Sequence, residues 1–334
     1  MSSRFLKIFV TAFMLVSVFA GCKKLPDGFL STTLRYEEDP ILINKGQLRV
    51  SSALNFDGSS KPAKIELLHI YNRATGANVD ALFSKKVPMK IWTGILDPKT
   101  DTTLEAVAAK QKEVMLAPLT INEVSGQLES NYGTLDLPTG SYTFDLKITN
   151  GAGSKIYPKI GNFDLIDAPA FETPSAPYLR MSKVGDEASG TNLTSAADLN
   201  VKIEHVNLTD NKVILKFVDK NGVVFNPAAG EVAKRPNTGL NPVPPNLQNL
   251  EDYAFKTSIF NDRMEFAYVT IPFPLNSLGN GFNLYYRIPS KYFSYDDQAT
   301  YPKDLWNANP RFSFRAYVPG TYQITFTLRR ATHR

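Results

Sequence analysis

The stretch GSYTFDLKITN (Gly140–Asn150) alternates apolar and polar side chains along its whole length. Its apolar positions are Tyr142, Phe144, Leu146 and Ile148, and the polar positions between them are Thr143, Asp145, Lys147 and Thr149. A period of two places each set on one face of a strand, which predicts a half-buried β-strand. The Asn-Gly pair that closes the stretch is typical of a hairpin turn, and residues 154–167 supply the partner strand.

Similar alternation recurs at residues 41–56, 63–72, 200–208 and 211–225, with Gly, Asn and Pro between the runs. Short strands and turns at this spacing indicate β-sandwiches. Residues 102–116, TTLEAVAAKQKEVML, are the exception, because Ala and Lys favour a helix there. A long strand with a bulge is the alternative for this segment.

The two halves of the chain resemble each other. LPTGSYTFDLKI (137–148) and VPGTYQITFTL (318–328) both place Pro and Gly before a tyrosine that opens an alternating strand. In immunoglobulin-like sandwiches such a tyrosine begins the penultimate strand and packs at a corner. The sequence therefore predicts an all-β fold of two immunoglobulin-like β-sandwich domains in tandem.

The N-terminus has the pattern of an export signal. Two cations precede the apolar run 8–20, which is too short to span a bilayer but has the length of a signal-peptide core. Cys22, the only cysteine, directly follows two small residues, in the lipobox arrangement at which bacterial lipoproteins are acylated and cleaved. Phe19 departs from the aliphatic residue typical of its position. A buried cysteine or a plain secretory signal is the alternative.

Lipidation of Cys22 predicts a protein that is tethered to a membrane through its lipid anchor and does not span it. After the lipobox, no second apolar run has transmembrane length. The predicted division is a signal peptide at 1–21, a lipidated N-terminus and tether at 22–40, a first sandwich at 41–168, a Pro-rich linker at 169–179, and a second sandwich with long loops at 180–334.

Composition excludes several classes of function. The net charge of +5 is spread along the chain and offers no basic stripe for nucleic acid. The three histidines, His69, His205 and His333, lie far apart, so no zinc site is predicted. The first two fall within strand patterns, where we expect packed or edge imidazoles, and we expect the third to be solvated. The sequence predicts no cofactor and no metal site.

Catalytic signatures are also missing from the sequence. It contains no Gly-x-Ser-x-Gly elbow and no phosphate-binding loop. Asp296 and Asp297 could bind calcium, although two adjacent acids in a loop are more often simply solvated. Nothing among the 32 acids picks out a catalytic pair of carboxylates, so we predict no catalytic residue.

Aromatic residues are concentrated near the C-terminus. Those predicted to lie in the core are Phe312, Phe314, Tyr322 and Phe326. Those predicted to contact a ligand, in the loop-rich segment 288–310, are Trp306, Tyr301, Tyr295 and Tyr292. Aromatic rings cover the apolar C–H patches of sugars, and the Asp, Asn and Lys residues nearby can bond hydroxyl groups. An aromatic cluster that fixes a long loop to its sandwich is the alternative.

The segment GCKKLPDGFLSTTLRYEEDPILINKGQ (21–47), followed by LPTGSYTFDLKITNGAGS (137–154), resembles a family of Bacteroidota lipoproteins. That family is similar to the accessory lipoproteins of SusC/SusD-type nutrient uptake, which capture glycans beside an outer-membrane transporter. The resemblance implies an outer-membrane location. Many such lipoproteins carry acids after the cysteine to direct surface display, whereas this chain has Lys23 and Lys24, so the membrane face stays open.

The hypothesis favoured by the sequence is therefore a lipid-anchored, non-catalytic module that binds a polysaccharide or oligosaccharide. The alternative is a structural lipoprotein that docks another envelope protein, and an envelope hydrolase is the third.

Overall fold

Strands dominate the structure, a computed structural model that describes residues 28–97, 99–236, 247–277 and 281–334. The all-β prediction is confirmed. The predicted signal peptide and Cys22 lie outside the described residues. Within the described ranges, no helix is long and apolar enough to cross a bilayer.

The first half contains nine strands within the residues described. They are β1 (Ile41–Asn44), β2 (Arg49–Val50), β3 (Lys64–Asn72), β4 (Val87–Trp92), β5 (Gln111–Leu116), β6 (Leu119–Ile121), β7 (Leu128–Ser130), β8 (Gly140–Asn150) and β9 (Gly153–Ile166). The helices are short: α1 (Asp80–Phe83), α2 (Leu104–Ala109) and a 3-10 turn at Tyr132–Asp136.

Strand β8 organises the first half. It forms the predicted hairpin with β9, and the sheet order is β1-β9-β8-β3. The four apolar side chains of β8 are each at most 1% exposed, as the alternation predicts. They belong to a hydrophobic cluster built from residues 34–165. Strand β1 closes this sheet by pairing with β9 in parallel.

Part of the predicted tether packs onto this first cluster. Leu34 and Tyr36 are buried in it, and the Tyr36 hydroxyl donates to the Gly126 carbonyl at 2.5 Å. The Tyr157 hydroxyl donates to the Ser31 carbonyl at 2.7 Å. Residues 31–36 are therefore part of the first packed unit, ahead of the strand at which we predicted it to begin.

The second half contains the remaining strands. They are β10 (Phe171–Glu172), β11 (Tyr178–Lys183), β12 (Asp186–Leu193), β13 (Leu199–Asn207), β14 (Lys212–Val218), β15 (Ala233–Lys234), β16 (Lys256–Ile259), β17 (Met264–Ala267), β18 (Asn283–Arg287), β19 (Phe293–Tyr295), β20 (Trp306–Ser313), β21 (Arg315–Ala316), β22 (Thr321–Leu328) and β23 (Ala331–His333). Turns of 3-10 helix occur at Pro227–Ala229, Leu250–Asp252 and Ser290–Tyr292.

Two five-stranded sheets form a sandwich in this half, with orders β12-β11-β20-β18-β15 and β13-β22-β14-β17-β16. Phe312 of the first sheet meets Phe326 of the second edge to face, with ring centroids 4.8 Å apart. Phe326 also stacks on Phe217 at 4.4 Å. The four aromatic residues predicted to be core are each at most 1% exposed, which confirms that prediction.

The segment 102–116 divides between the two predicted alternatives. Thr103 caps α2 by accepting from the Ala106 amide, but the helix ends at Ala109. Residues from Gln111 onward pair with β4 in an antiparallel hairpin. The paired residues of β4 lie 19 to 29 positions earlier in the sequence, so local propensity does not reveal where the helix ends and the strand begins.

The Pro-rich segment 169–179 is attached to the second sandwich. Strand β10 pairs with β21, and the Ala170 carbonyl accepts from the amides of Tyr317 and Val318. Two separate hydrophobic clusters, from residues 34–165 and 179–331, lie on either side of this segment. Their separation fits two domains, and the exact boundaries stay a prediction.

Both halves use a tyrosine corner. The Tyr142 hydroxyl donates to the Pro138 carbonyl at 2.8 Å, and the Tyr322 hydroxyl donates to the Val318 carbonyl at 2.6 Å. Each bond reaches back four residues, as in immunoglobulin-like sandwiches. The repeated sequence motif therefore corresponds to a repeated contact.

We expect Tyr322→Phe to lower the free energy of unfolding by about 1 kcal/mol, because a buried carbonyl loses its donor while the ring stays packed. Urea denaturation measures the change. Tyr178→Phe is the control, since the described residues provide no hydrogen bond to that hydroxyl. Equal stability of Tyr322→Phe and the wild type would contradict the role of the corner.

Candidate functional site

The aromatic residues predicted to contact a ligand form one contiguous cluster against the core of the second sandwich. Tyr301 lies edge to face with Tyr295 at 5.4 Å and with Trp306 at 5.3 Å. Tyr295 and Tyr301 are only 2% and 7% exposed. Tyr292 and Trp306 are half-buried and pack against the same core.

Polar contacts hold this cluster in place. The Tyr295 hydroxyl donates to Asp198 at 2.6 Å; burial, followed by this bond, raises the pKa of Tyr295. The Tyr292 hydroxyl donates to the Ala229 carbonyl at 3.2 Å. These contacts favour the alternative that the rings fix a long loop. A ligand contact at these four residues stays a prediction, and the two buried tyrosines offer no open ring face.

The opposite face of strand β20 is polar. Trp306, Ala308 and Phe312 point toward the core, so the residues between them point outward. These outward residues are Asn307, Asn309, Arg311 and Ser313. On the neighbouring strands, Arg180 pairs with Asn309 and Tyr178 with Arg311. The outer side of this sheet therefore gathers polar side chains from several strands.

Seven of these side chains define what we call the arginine face: Arg180, Arg235, Arg287, Arg311, Glu187, Tyr178 and Tyr285. They come from β11, β12, β18, β20 and the residue that follows β15. The sheet order brings these strands together, although more than 130 residues separate the first arginine from the last.

Glu187 is the anionic centre of the arginine face. It is 6% exposed, and its Oε2 accepts from Arg287 Nη2 at 2.5 Å and from Ser182 Oγ at 3.3 Å. Arg287 Nε donates to Asn309 Oδ1 at 2.8 Å. This buried network is satisfied at every one of these atoms and fixes Arg287 in position.

Arg235 is the least satisfied member of the face. It is 7% exposed, and its Nε is buried without a hydrogen-bond partner among the described residues. That nitrogen lies 3.8 Å from Glu187 Oε2, close enough for an ion pair but too far for a hydrogen bond. Burial, and next the charge of Arg180, lower the pKa of Arg235.

Two tyrosines lie beside the guanidinium groups. Arg311 is centred 5.0 Å from the Tyr178 ring, and Arg235 lies 5.9 Å from the Tyr285 ring. Tyr178, Arg180 and Arg311 are half-buried, so the arginine face opens to solvent on their side. Rings, fixed guanidinium groups and amide side chains can together bind a sugar that carries hydroxyl or anionic groups.

The histidines occupy structural positions. His69 pairs with Asp80 at 2.8 Å, and His205 stacks on Tyr322 at 4.6 Å. The prediction that His333 is solvated is wrong. Its Nε2 lies 2.6 Å from Glu231 Oε2, and its backbone amide donates to Asp219 at 3.0 Å. Because β23 pairs with β19, the chain end is drawn into the fold.

The other candidate sites for a ligand or metal ion are less well formed than the arginine face. Asp296 forms an ion pair with Lys220 at 2.6 Å. The part of the chain that the structure describes contains no group of three or more His, Cys, Asp or Glu residues placed to hold a metal ion. A shallow cleft of about 330 Å³ lies along residues 139–141 and 164–167. Its wide opening and lack of aromatic or cationic residues make it a weaker candidate than the arginine face.

Sequence reasoning missed the arginine face, although a signal was present. Arg180, Arg287 and Arg311 each stand between two apolar neighbours that are buried in the core or packed on it: Leu179 and Met181, Tyr286 and Ile288, and Pro310 and Phe312. An arginine flanked in this way on a strand must point to the opposite face. Three such arginines in one domain indicate a charged sheet face.

No protein-family profile matches this chain, and no curated protein does. Among solved structures, it is similar to a SusE-like surface-located polysaccharide-binding protein from the heparin utilisation locus of Bacteroides thetaiotaomicron. The identity is 8%, over 88% of this chain and 53% of that chain, with a TM-score of 0.25. This chain thus spans about half the length of that protein.

A second similar structure contains cadherin domains 3–6 of protocadherin gamma B2, with 9% identity over 88% of this chain and 73% of that chain and a TM-score of 0.19. A third is the C-terminal domain of the AgI/II polypeptide BspA of Streptococcus agalactiae. Its identity is 10%, over 84% of this chain and 83% of that chain, with a TM-score of 0.14. Likeness at this level carries no argument about function.

Proposed function

We propose that this chain is a lipid-anchored, non-catalytic protein of the outer membrane that binds carbohydrate as an accessory to nutrient uptake. The anchor rests on the lipobox pattern at Cys22. The binding role rests on one observation, the arginine face. It combines the accessible ring of Tyr178 with fixed hydrogen-bond donors on a half-open sheet surface, and this combination suits sugar recognition.

The partners of the lipid-anchored chain follow from this role. They are the membrane, a polysaccharide or oligosaccharide, and an outer-membrane transporter complex that would receive the captured glycan. The proposed ligand position differs from the one predicted from the sequence. The arginine face lies on the outer side of β20, whereas the aromatic cluster around Trp306 lies on its core side.

The test is affinity electrophoresis of the intact chain, purified in detergent, through gels that contain neutral or acidic polysaccharides. We expect at least one glycan to retard the protein. Tyr178→Ala should weaken that binding about tenfold, since an aromatic ring stacked on a sugar contributes on the order of 1 kcal/mol or more to the free energy of binding. Tyr71→Ala, a half-buried tyrosine of the first sheet, should bind like the wild type. The Cys22→Ser chain should no longer sediment with membranes.

A protein-docking role is the alternative, and one observation favours it. The β4–β5 hairpin and the segment that connects its strands expose apolar side chains: Ile91, Trp92, Ile95 and Met115. Ile95 is 88% exposed. Grouped exposed apolar residues often mark protein contacts. Failure of every glycan to retard the intact chain would overturn the carbohydrate proposal and favour this alternative.

A further inference from the structure

The charges on the arginine face do not balance. Four guanidinium groups are gathered there, and Glu187 is the one carboxylate that the described residues place within 4.0 Å of any of them. Arg180 and Arg311 form no ion pair within the described ranges. A buried structural network normally pairs its charges, because taking an ion out of water is costly unless a partner compensates it.

The hydrogen bonds of the four arginines show which of these side chains lack a negatively charged partner. Arg287 is engaged by Glu187 and Asn309. Arg180 donates to the backbone carbonyls of Glu187 and Ala188 at 3.3 and 3.0 Å, and to the side-chain carbonyl of Asn192 at 3.2 Å. Neutral carbonyls satisfy its N–H groups without neutralising its charge. The Nε atoms of Arg180, Arg235 and Arg311 are all buried and unbonded within the described residues.

Arg235 shows the strongest need for a partner. Its side chain is almost fully buried, and the guanidinium groups of Arg180 and Arg287 act on it as like charges. Glu187 is the one carboxylate among the described residues that opposes them within 4.0 Å. Replacing buried charges by well-packed neutral residues is often neutral or stabilising, so stability alone does not explain an arginine here. Ionisable groups with strongly perturbed environments cluster at functional sites, so the incompletely compensated charge of Arg235 points to a ligand that supplies an anionic group.

The chemistry of that missing group follows from the donors. Guanidinium groups present planar N–H donors that match carboxylate and sulfate oxygens in two parallel hydrogen bonds. The rings of Tyr178 and Tyr285 flank the same arginines, and the half-buried Tyr178 ring can pack against a sugar ring. A saccharide that carries acidic groups meets both requirements, whereas a neutral one leaves the charges uncompensated.

We propose that the arginine face selects acidic saccharides, with Arg180 and Arg235 donating hydrogen bonds to a carboxylate or sulfate group of the ligand. This inference rests on the proposed function and names the class of glycan. An acidic ligand would leave fewer buried donors unpaired than a neutral one, so the site discriminates against the neutral analogue.

The test compares ligands that differ only in charge, using calorimetry on the intact chain in detergent. One pair is oligogalacturonate and its fully methyl-esterified form, which reports on carboxylate. The other pair is dextran sulfate and dextran, which reports on sulfate. We expect the acidic member of at least one pair to bind at least tenfold more tightly than its neutral match, and we expect added salt to reduce that difference.

Variants connect the selectivity to named residues. Arg235→Gln should lose about tenfold in affinity for the acidic ligand and nothing for the neutral one, and Arg235→Lys should retain part of the affinity because it keeps charge but not the planar donors. Arg329→Gln is the matched control, an exposed arginine between β22 and β23 that should bind like the wild type. Arg180→Gln serves if Arg235→Gln does not fold.

The outcomes separate the two proposals. Equal affinity for acidic and neutral members, unchanged in Arg235→Gln, would overturn the acidic selectivity and leave the carbohydrate role intact. Tight binding of the acidic member that survives both Arg235→Gln and Arg180→Gln would overturn the assignment to the arginine face. Binding of no saccharide would overturn the proposed function itself, together with this inference.

Discussion

Replacing Glu187 with glutamine is expected to lower the free energy of unfolding by about 3 kcal/mol, because removal of one partner from a buried ion pair leaves the other charge uncompensated. Glu187 accepts from Arg287 and Ser182 and is also the one carboxylate that opposes the charge of Arg235 within the described residues. Glutamine keeps the shape of the side chain, so the change in the free energy of unfolding measures the contribution of the negative charge. Urea denaturation, followed by tryptophan fluorescence, measures it.

Two further variants make this result specific. Glu204→Gln removes an exposed carboxylate that pairs with Lys202 at 2.7 Å, and its effect should stay within about 0.5 kcal/mol because exposed pairs contribute little. Adding Arg235→Met to Glu187→Gln should recover part of the lost stability, since the second change removes an uncompensated charge. An equally large loss of stability in Glu204→Gln, or no recovery of stability in the double variant, would contradict a charge-based role for Glu187.

Replacing Asp219 with alanine is expected to lower the free energy of unfolding by about 3 kcal/mol, because three backbone amides would lose their acceptor, each hydrogen bond contributing on the order of 1 kcal/mol. The Asp219 carboxylate is 1% exposed. It accepts from the amides of Asn221 and Val223 at 2.8 Å and from that of His333 at 3.0 Å. The change would loosen both the turn after β14 and the C-terminal strand β23.

This carboxylate also makes stability depend on pH. Burial alone would raise the pKa of Asp219, but the hydrogen bonds from His333, Val223 and Asn221 outweigh it and lower the pKa below the ordinary value of 3.8. A carboxyl whose pKa is lower in the folded state stabilises the fold above its unfolded pKa and loses that contribution as the pH falls through the folded value. Wild-type stability should therefore fall below about pH 4.

The pH dependence separates Asp219 from other acids. The Asp219→Ala chain should lose less stability between pH 5 and pH 2 than the wild type, because it lacks the carboxylate whose contribution disappears on protonation. Asp262→Ala removes an exposed acid paired with Arg263 at 2.9 Å, and we expect it to follow the wild-type pH curve. An Asp219→Ala curve parallel to that of the wild type would show that this carboxylate does not contribute.

Sequence reasoning succeeded where the signal is local. The alternation in β8 and its Asn-Gly turn specify a hairpin whose partner begins three residues later. The four aromatic residues predicted to be core, which lie in or directly after β20 and in β22, are buried: Phe312, Phe314, Tyr322 and Phe326. In each case the period of two and the turn chemistry are sufficient, because no distant segment has to be known.

It failed where distant segments decide the structure. The β-pairing of residues 111–116 depends on β4, and the arginine face depends on a sheet order in which β11 lies beside β20. The sequence also drew attention to Trp306 for its ring, whereas the polar residues one step along the same strand face outward. Residue type suggested a ligand site, but the direction of each side chain decided which residues were available.

The parallel pairing of β1 with β9 has a mechanical consequence. Ile41 lies beside Phe163, and Asn44 lies beside Ile166, so the chain enters β1 at one end of the pair and leaves β9 at the other. Tension applied to the flanking chain would slide these strands past each other and load their hydrogen bonds together, in shear, instead of unzipping them one at a time. In the proposed arrangement, with a lipid at one end and a polysaccharide at the other, the first unit would then act as a stiff link.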